Sequence, residues 1–359
     1  MTPVFWPGKR VLVTGHTGFK GTWLCWWLKQ LGANVTGFAL EPPTSPSLFE
    51  SSGLAGEMAD EQSDIRGDVR DPSAIQAVFD GRRPEIVFHL AAQSLVRESY
   101  RSPVDTFVTN LMGTVHCLQA ARHARGLLAL LVVTSDKCYR NTRSQRQFHE
   151  DDALGGDDPY SASKACAEIA TYAWRRSFFL TQGDAAQVAT VRAGNVIGGG
   201  DWAVDRLIPD AIRAFTVGST LRIRNPGATR PWQHVLEPLR GYLMLAERLC
   251  ARNPAVASEW NFGPDSAGVR PVSWVADGLA LRWGRGARWQ ADSGDHPHEA
   301  SALALDAERA RRVLGWRPTL ALDQALDWVI EWYRAAATGG DLRAVTGNQI
   351  ARYQALCVA

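Results

Sequence analysis

The chain has 359 residues, 45% of them apolar and 21% charged, enough for one large two-part domain or two modest ones with an ample core. Its 39 basic and 37 acidic residues leave a net charge of +2, which excludes a general attraction to nucleic acid or to an anionic membrane, so any anion affinity must be local. Six cysteines (Cys25, Cys117, Cys138, Cys166, Cys250, Cys357) include no Cys-x-x-Cys pair, so neither a metal site nor a disulfide framework is expected, and no apolar run approaches the roughly 18 residues that span a bilayer.

Residues 1–8 lead directly into a strand pattern without a basic, apolar secretory segment, and a cytoplasmic location is expected. Residues 10–14 read as a strand, 21–31 as a helix and 34–40 as a second strand. The runs 85–90 and 128–135 are apolar and β-branched, as suits parallel strands buried on both faces. Residues 103–124 and 161–179 read as long helices. This alternation predicts an α/β fold with a doubly wound parallel (Rossmann) sheet and right-handed crossovers. Past Arg192 glycine and proline become frequent, as in 198–200 and 224–227, and strand signals shorten. A first part over 1–192 and a smaller substrate-binding part over 193–335 are expected, with segments free to interleave. Helices are predicted at 306–314 and 322–334, and 336–359 reads as a tail without clear pattern. Most of the fourteen tryptophans are expected to anchor the core or an interface.

Gly15-His16-Thr17-Gly18-Phe19-Lys20-Gly21 follows the first strand and opens the first helix. Glycine permits a tight turn and close approach of backbone to a pyrophosphate, and the helix N-terminus offers free N–H groups to the anion. The turn points to a dinucleotide. Asp68 and Val69, after a short strand, are placed to meet adenine with a carboxylate and an amide. Leu90, Ala91 and Ala92, after His89, are small enough to let backbone pass close to a ribose. Glu41 is the only acid about 20 residues past the glycines, but it lies beyond Leu40 and before two prolines, so it leaves the choice of NAD or NADP open.

Tyr160 and Lys164 stand four apart, on one face of a predicted helix. An ammonium near the phenol favours phenolate, which suits tyrosine to acid–base work. Ser135 ends the 128–135 strand at the carboxyl edge, where ligands bind in open sheets and a hydroxyl can bond the oxygen being oxidised.

Glycine turn, strand-end serine and the Tyr/Lys pair, in this order, resemble the extended short-chain dehydrogenase/reductase family over residues 9–335. Within it, Thr134-Ser135-Asp136-Lys137, Gly198-Gly199-Gly200-Asp201-Trp202, Arg230-Pro231-Trp232-Gln233-His234 and His296-Pro297-His298-Glu299 resemble the sugar-nucleotide 4,6-dehydratases, and in particular those acting on CDP-glucose. In related dehydratases the position of Lys137 is a glutamate, and the lysine is what points to the CDP branch. The resemblance implies NAD as cofactor and no metal. It implies catalysis by Ser135, Asp136, Lys137, Tyr160 and Lys164, with Lys137 as base and Asp136 as acid in the loss of water. It implies cofactor contacts at Gly15, Thr17, Gly18, Phe19, Lys20, Gly21, Asp68, Val69, Leu90, Ala91, Ala92, Tyr160 and Lys164. Substrate contacts are implied at Gln93, Arg97, Asn195, Arg206, Arg230, His234, His296 and Glu299. It further implies a homodimer through a four-helix bundle of helices 103–124 and 161–179, with higher assembly open. Another dehydratase or an epimerase of this fold, and a nucleotide-sensing module without turnover, are the alternatives.

Overall fold

The computed structural model describes residues 4–60, 62–141, 146–180, 185–294 and 303–358. Its strands are β1 (Arg10–Thr14), β2 (Asn34–Ala39), β3 (Asp64–Arg66), β4 (Ile86–His89), β5 (Ala129–Val133), β6 (Gln187–Ala193), β7 (Asn195–Ile197), β8 (Leu221–Ile223), β9 (Thr229–His234), β10 (Glu259–Phe262), β11 (Val269–Pro271) and β12 (Trp289–Ala291). Seven form one parallel sheet in the order β10-β6-β5-β4-β1-β2-β3. The chain builds outward from β1 to β3 and then crosses to β4 on the other flank of β1. That reversal opens a crevice at the carboxyl ends of β1 and β4.

The strands alternate between two cores. Val11 and Val13 of β1, Ile86 and Phe88 of β4, and Ala129, Leu131 and Val133 of β5 face one side. Leu12, Val87, Leu130 and Val132 face the other. A strand buried on both faces has no polar side to alternate with, which is why these runs read as continuous apolar sequence. Trp6, Trp23, Trp27, Trp260, Trp316 and Trp332 are fully buried in the first core.

Three elements differ from expectation. The second long helix begins at Pro159, not 161, because Asp158 caps it: its carboxylate accepts from Ser161 N at 2.9 Å and Ser161 Oγ at 2.6 Å, with proline at the first helical position. The first long helix is helical from Pro103 to His123 but passes through a π-helical turn at Val108–Met112. The tail is ordered into a helix, Leu342–Leu356, whose Tyr353 donates to Glu237 at 2.6 Å and whose Gln349 bonds the Trp328 carbonyl at 2.9 Å. Its sparse apolar pattern hid a helix held by polar contacts. β10 lies well past residue 193 yet adds the edge strand next to β6, so the sheet draws on both halves of the chain.

Candidate active site

The glycine turn leaves β1 and enters helix Phe19–Gln30. Gly15 has φ +76°, and a Cβ there would sit 2.7 Å from Ala91 N; a Cβ on Gly21 would sit 2.1 Å from Gly15 O. These two glycines serve close packing. At Gly18 a Cβ would meet only Gly15 O, at 3.4 Å, and would project into the space over the helix end. No side chain caps this helix and no acid lies in its first turn, although Asp71, Asp158 and Asp341 cap others. A cradle over uncapped amides fits a dinucleotide pyrophosphate.

Neighbouring strand ends are tied to this turn. Thr14 Oγ1 bonds His89 Nδ1 at 2.8 Å and accepts from Leu90 N and Ala91 N at 3.2 Å, which sets Leu90, Ala91 and Ala92 beside Gly15. Thr17 Oγ1 donates to the Leu40 carbonyl at 3.0 Å. Asp68 is gripped by Arg70, at 2.7 Å to Nε, and Val69 O accepts from His116 Nδ1 at 2.9 Å. Glu41 is largely exposed and pairs with Arg66 at 3.5 Å.

At the end of β5, Ser135 opens a short 3-10 turn, Asp136–Cys138. Its Oγ donates to Asp136 Oδ1 at 3.1 Å and accepts from Lys137 N at 3.2 Å. The Tyr160 phenol, on the first turn of helix Pro159–Trp174, lies close to it. Burial pushes Tyr160 up to about 12, against the pull of nearby Ser135 and Arg206. Lys164 donates to the Val133 carbonyl at 3.2 Å, and burial together with Lys20 lowers it to about 8. Asp136 is buried with Oδ2 unpartnered, and burial raises its proton affinity against the opposing charges of Lys137, Arg230 and Lys20. Lys137 is half-buried beside Tyr139, Asn141 and Ser161.

On the facing side, Arg206 holds Asp201 at 3.0 Å and Ser94 Oγ at 2.8 Å. Arg97 and Arg224 share the Asp205 carboxylate at 2.8 and 2.9 Å, and Asp205 has φ +64°. Asn195 on β7 lies in register with Trp232 of β9, the strand that carries buried Arg230. Two of the expected substrate contacts have side chains engaged within the protein. His234 is buried in the core between Trp23 and Trp328, and burial lowers it to about 3. Gln93 spends its side chain internally, donating to Leu95 O and Thr106 Oγ1 at 3.0 Å and accepting from Leu95 N at 2.5 Å. His296 and Glu299 lie outside the described residues.

Several supporting residues escaped the sequence reading. Asn110, in the π-helical turn, accepts from Gln93 N and donates to Gln93 O and Ser163 Oγ, at 2.9, 3.0 and 2.9 Å. Glu168, one turn past Lys164, forms a buried ion pair with Arg192 at 2.8 Å and accepts from Thr134 and from Thr190 at 2.6 Å. Burial works against its charge, but Arg192 and these hydrogen bonds hold the carboxylate ionised. Arg192 in turn bonds Tyr139 Oη at 2.6 Å, and Tyr139 donates to Asn261 at 2.7 Å. The Lys164-to-Glu168 spacing was the one available signal.

The chain matches the model of the NAD dependent epimerase/dehydratase family over residues 11–257. It is 46% identical over 352 residues to the CDP-glucose 4,6-dehydratase of Salmonella typhimurium, covering 97% of each chain. It is 24% identical over 348 residues to dTDP-glucose 4,6-dehydratase 1 of Escherichia coli, covering 90% of this chain and 92% of that one. Among solved structures it resembles the dTDP-glucose 4,6-dehydratase of Bacillus anthracis in complex with NAD, with TM-score 0.75, 20% identity and coverage of 91% and 97%. The UDP-glucuronic acid 4-epimerase of Bacillus cereus, in complex with UDP-glucuronic acid and NAD, gives TM-score 0.78, 20% identity and coverage of 91% and 99%. At that identity the two structures speak for the fold.

Proposed function

We propose that this chain, which belongs to the NAD dependent epimerase/dehydratase family, is a CDP-glucose 4,6-dehydratase that converts CDP-D-glucose to CDP-4-dehydro-6-deoxy-D-glucose. The observation that carries the proposal is the 46% identity to the Salmonella dehydratase over 97% of both chains. The buried Asp136 beside Lys137 supports it, at the strand end that also holds Ser135. An epimerase needs only the serine, tyrosine and lysine; removal of water needs a further acid and base.

The cofactor is NAD, which would supply the hydride acceptor for C4 of the sugar and the hydride donor for C6. Gly18 would leave room for its pyrophosphate over the helix amides, and Leu90 to Ala92 would border its ribose. Tyr160 takes the proton of the C4 hydroxyl, with Ser135 bonding O4 and Lys164 supplying positive charge beside them. The 4-ketone so formed acidifies the C5 hydrogen. Lys137 removes that proton, and Asp136 gives its own to the departing C6 hydroxyl, which leaves as water. Lys137 then returns a proton to C5. A proton affinity raised by burial suits Asp136 to the acid role. Arg206, Arg230, Asn195 and Arg97 face the sugar nucleotide, the arginines suited to its phosphates.

We further assign the cofactor to residues 1–192, completed by β10, and the sugar nucleotide to 193–335. Exposed Val104, Met112, Ile169 and Tyr172 lie on helices Pro103–His123 and Pro159–Trp174, supporting a homodimer through a four-helix bundle. The six cysteines are free, a state that a reducing cytoplasm maintains. Among the described residues no helix is long and apolar enough to cross a membrane.

The test is incubation of the purified protein with CDP-, dTDP- and GDP-glucose without added cofactor. A 4-keto sugar from CDP-glucose is the expected product. An epimerised sugar, or turnover of another nucleotide sugar in preference, would overturn the assignment.

A further inference from the structure

We propose that the buried Glu168–Arg192 ion pair is a positioning device for the loss of water: it grips the turn that carries Asp136 and Lys137 at both ends, through Thr134 before it and Tyr139 after it, and ties that turn to the helix of Tyr160 and Lys164. The inference rests on the dehydratase function proposed above.

The grip is a continuous run of hydrogen bonds. Glu168 stands one turn past Lys164 on helix Pro159–Trp174, on the face that carries Tyr160. Lys164 and Glu168 hold adjacent residues where β5 ends: Lys164 Nζ donates to the Val133 carbonyl at 3.2 Å, and Thr134 Oγ1 donates to Glu168 Oε1. Arg192 of β6 meets the same carboxylate with Nε at 2.9 Å and Nη2 at 2.8 Å. Its Nη1 donates to Tyr139 Oη at 2.6 Å and to the Glu150 carbonyl at 2.9 Å. Tyr139 closes the far end of the turn Asp136–Cys138, donates to Asn261 Oδ1 at 2.7 Å and stacks on Phe148 with ring centroids 4.9 Å apart. Thr134 and Tyr139, the residues on either side of Ser135–Cys138, are thus joined through one ion pair.

Stability alone does not account for that pair. Both side chains are 1% exposed, and a buried ion pair contributes little that well-packed apolar residues would not. What a fully bonded polar network adds is a single arrangement. This one is fully bonded: Thr190 donates to the second oxygen of Glu168 at 2.6 Å, and Asn261 bonds Glu150 Oε1 through its N and the Phe148 carbonyl through its Nδ2, both at 2.9 Å. Inside the frame, Asp136 Oδ2 is buried with no partner among the described residues. An acid that must meet a departing hydroxyl needs such a frame, because misplacement on the order of an ångström can cost about 10²-fold in rate.

Removing Glu168 would strand the Arg192 charge in the core, so the test is made at the two ends of the grip. Tyr139→Phe keeps the ring and its stack and deletes the hydroxyl. Thr134→Val deletes the other hydroxyl, and Thr134→Ser keeps it. Protein purified with its NAD is mixed with CDP-glucose, and the rise of reduced nicotinamide absorbance as C4 is oxidised is resolved from its decay as elimination and hydride return proceed. Tyr139→Phe should leave NAD content and the rate of the rise near wild type and slow the decay by about 10- to 10²-fold. Thr134→Val, which frees the end next to Ser135, should slow both phases, and Thr134→Ser should restore both. A merely structural loss lowers the amplitudes of both phases with the folded fraction and leaves their rate constants alone. In substrate-free protein, amide exchange in peptides spanning the turn should quicken in Tyr139→Phe and Thr134→Val, since Ser135 holds Lys137 N through Oγ and Cys138 N through its carbonyl, each at 3.2 Å. An unchanged decay in Tyr139→Phe, equal slowing of its two phases, amplitudes that fall at constant rates, or unchanged exchange would each overturn the proposal. If wild type makes no 4-keto sugar from CDP-glucose, the dehydratase reading fails and takes the elimination role with it, and the exchange measurement then judges the grip alone.

Discussion

On the cofactor side of the cleft, the first turn of helix Phe19–Gln30 has no capping side chain and no acid, and its flanking glycines are fixed by backbone contacts. On the substrate side, Arg97 and Arg224 are held by Asp205, and Arg206 by Asp201. A phosphate arriving at the first meets uncommitted donors in a set frame. One arriving at the second competes with carboxylates already in place. On the proposed assignment, cofactor affinity is preorganised, whereas binding of the sugar nucleotide includes the cost of rearranging ion pairs. That division suits an enzyme whose cofactor ends each cycle as it began while substrate and product exchange.

The largest effect is expected where the two sides meet. Tyr160→Phe removes the oxygen that, in the proposed mechanism, takes the proton of the C4 hydroxyl, and leaves the ring that fills the buried site. Turnover of CDP-glucose should fall by about 10²–10⁴-fold with NAD retained, as judged by cofactor content after gel filtration. Wild-type turnover in the folded variant would remove the phenol from the chemistry.

Asp136→Asn and Lys137→Ala should split the reaction. In the proposed mechanism oxidation at C4 uses Ser135, Tyr160 and Lys164, and only elimination uses the other two. Reduced nicotinamide should therefore accumulate on mixing with CDP-glucose, with overall turnover lower by about 10²-fold or more. Solvent deuterium exchange at C5 should be suppressed in Lys137→Ala. Loss of both phases together, in a variant that binds substrate, would mean that the pair shapes the strand end instead.

The parts of this cleft differ in how far they were legible in the sequence. The glycine turn, β1, β4 and β5 could be read because a strand buried on both faces is written as an unbroken apolar run and a pyrophosphate turn as spaced glycines. Tyr160 and Lys164 followed from helical spacing, and Ser135 from its place at a strand end. Asn110 could not be read, because the π-helical turn that aims it leaves no periodic mark. Glu168 and Arg192 were opaque because a buried ion pair between a helix and β6 joins residues with no fixed spacing. His234 lay in a stretch that resembled a binding motif, yet its ring fills the core, where two tryptophans surround it. The tail helix was missed because Gln349, Tyr353 and Thr346 bury polar side chains that pattern reading assigns to solvent.

The glycines give a sharper test of the cofactor side. Gly18→Val should weaken NAD binding by at least about tenfold, ~1.4 kcal/mol, by holding the pyrophosphate off the amides, with little change in the melting temperature of the cofactor-free protein. Gly21→Ala should do the reverse, since its Cβ would fall 2.1 Å from Gly15 O and the turn must shift to admit it. Equal effects of the two on folding would erase the distinction between a cradle glycine and a packing glycine.

Asp205→Asn probes the substrate side, and its effect should be the smallest. The side chain is isosteric, and asparagine tolerates the positive φ of +64° better than most residues, so the backbone should keep its path. What changes is charge. Arg97 and Arg224 lose the carboxylate at 2.8 and 2.9 Å and keep an amide oxygen in its place. These side chains are partly solvated, with Arg97 at 31% and Asp205 at 23% exposure, so the pair contributes about 1 kcal/mol or less, and the expected change is about fivefold at most. If the carboxylate competes with the diphosphate, the KM for CDP-glucose should fall while kcat stays, and the gain should shrink as salt screens the freed arginines. A rise in KM would mean the opposite: Asp205 holds the two guanidinium groups in the geometry the diphosphate needs, and the substrate side is then as preorganised as the cofactor side.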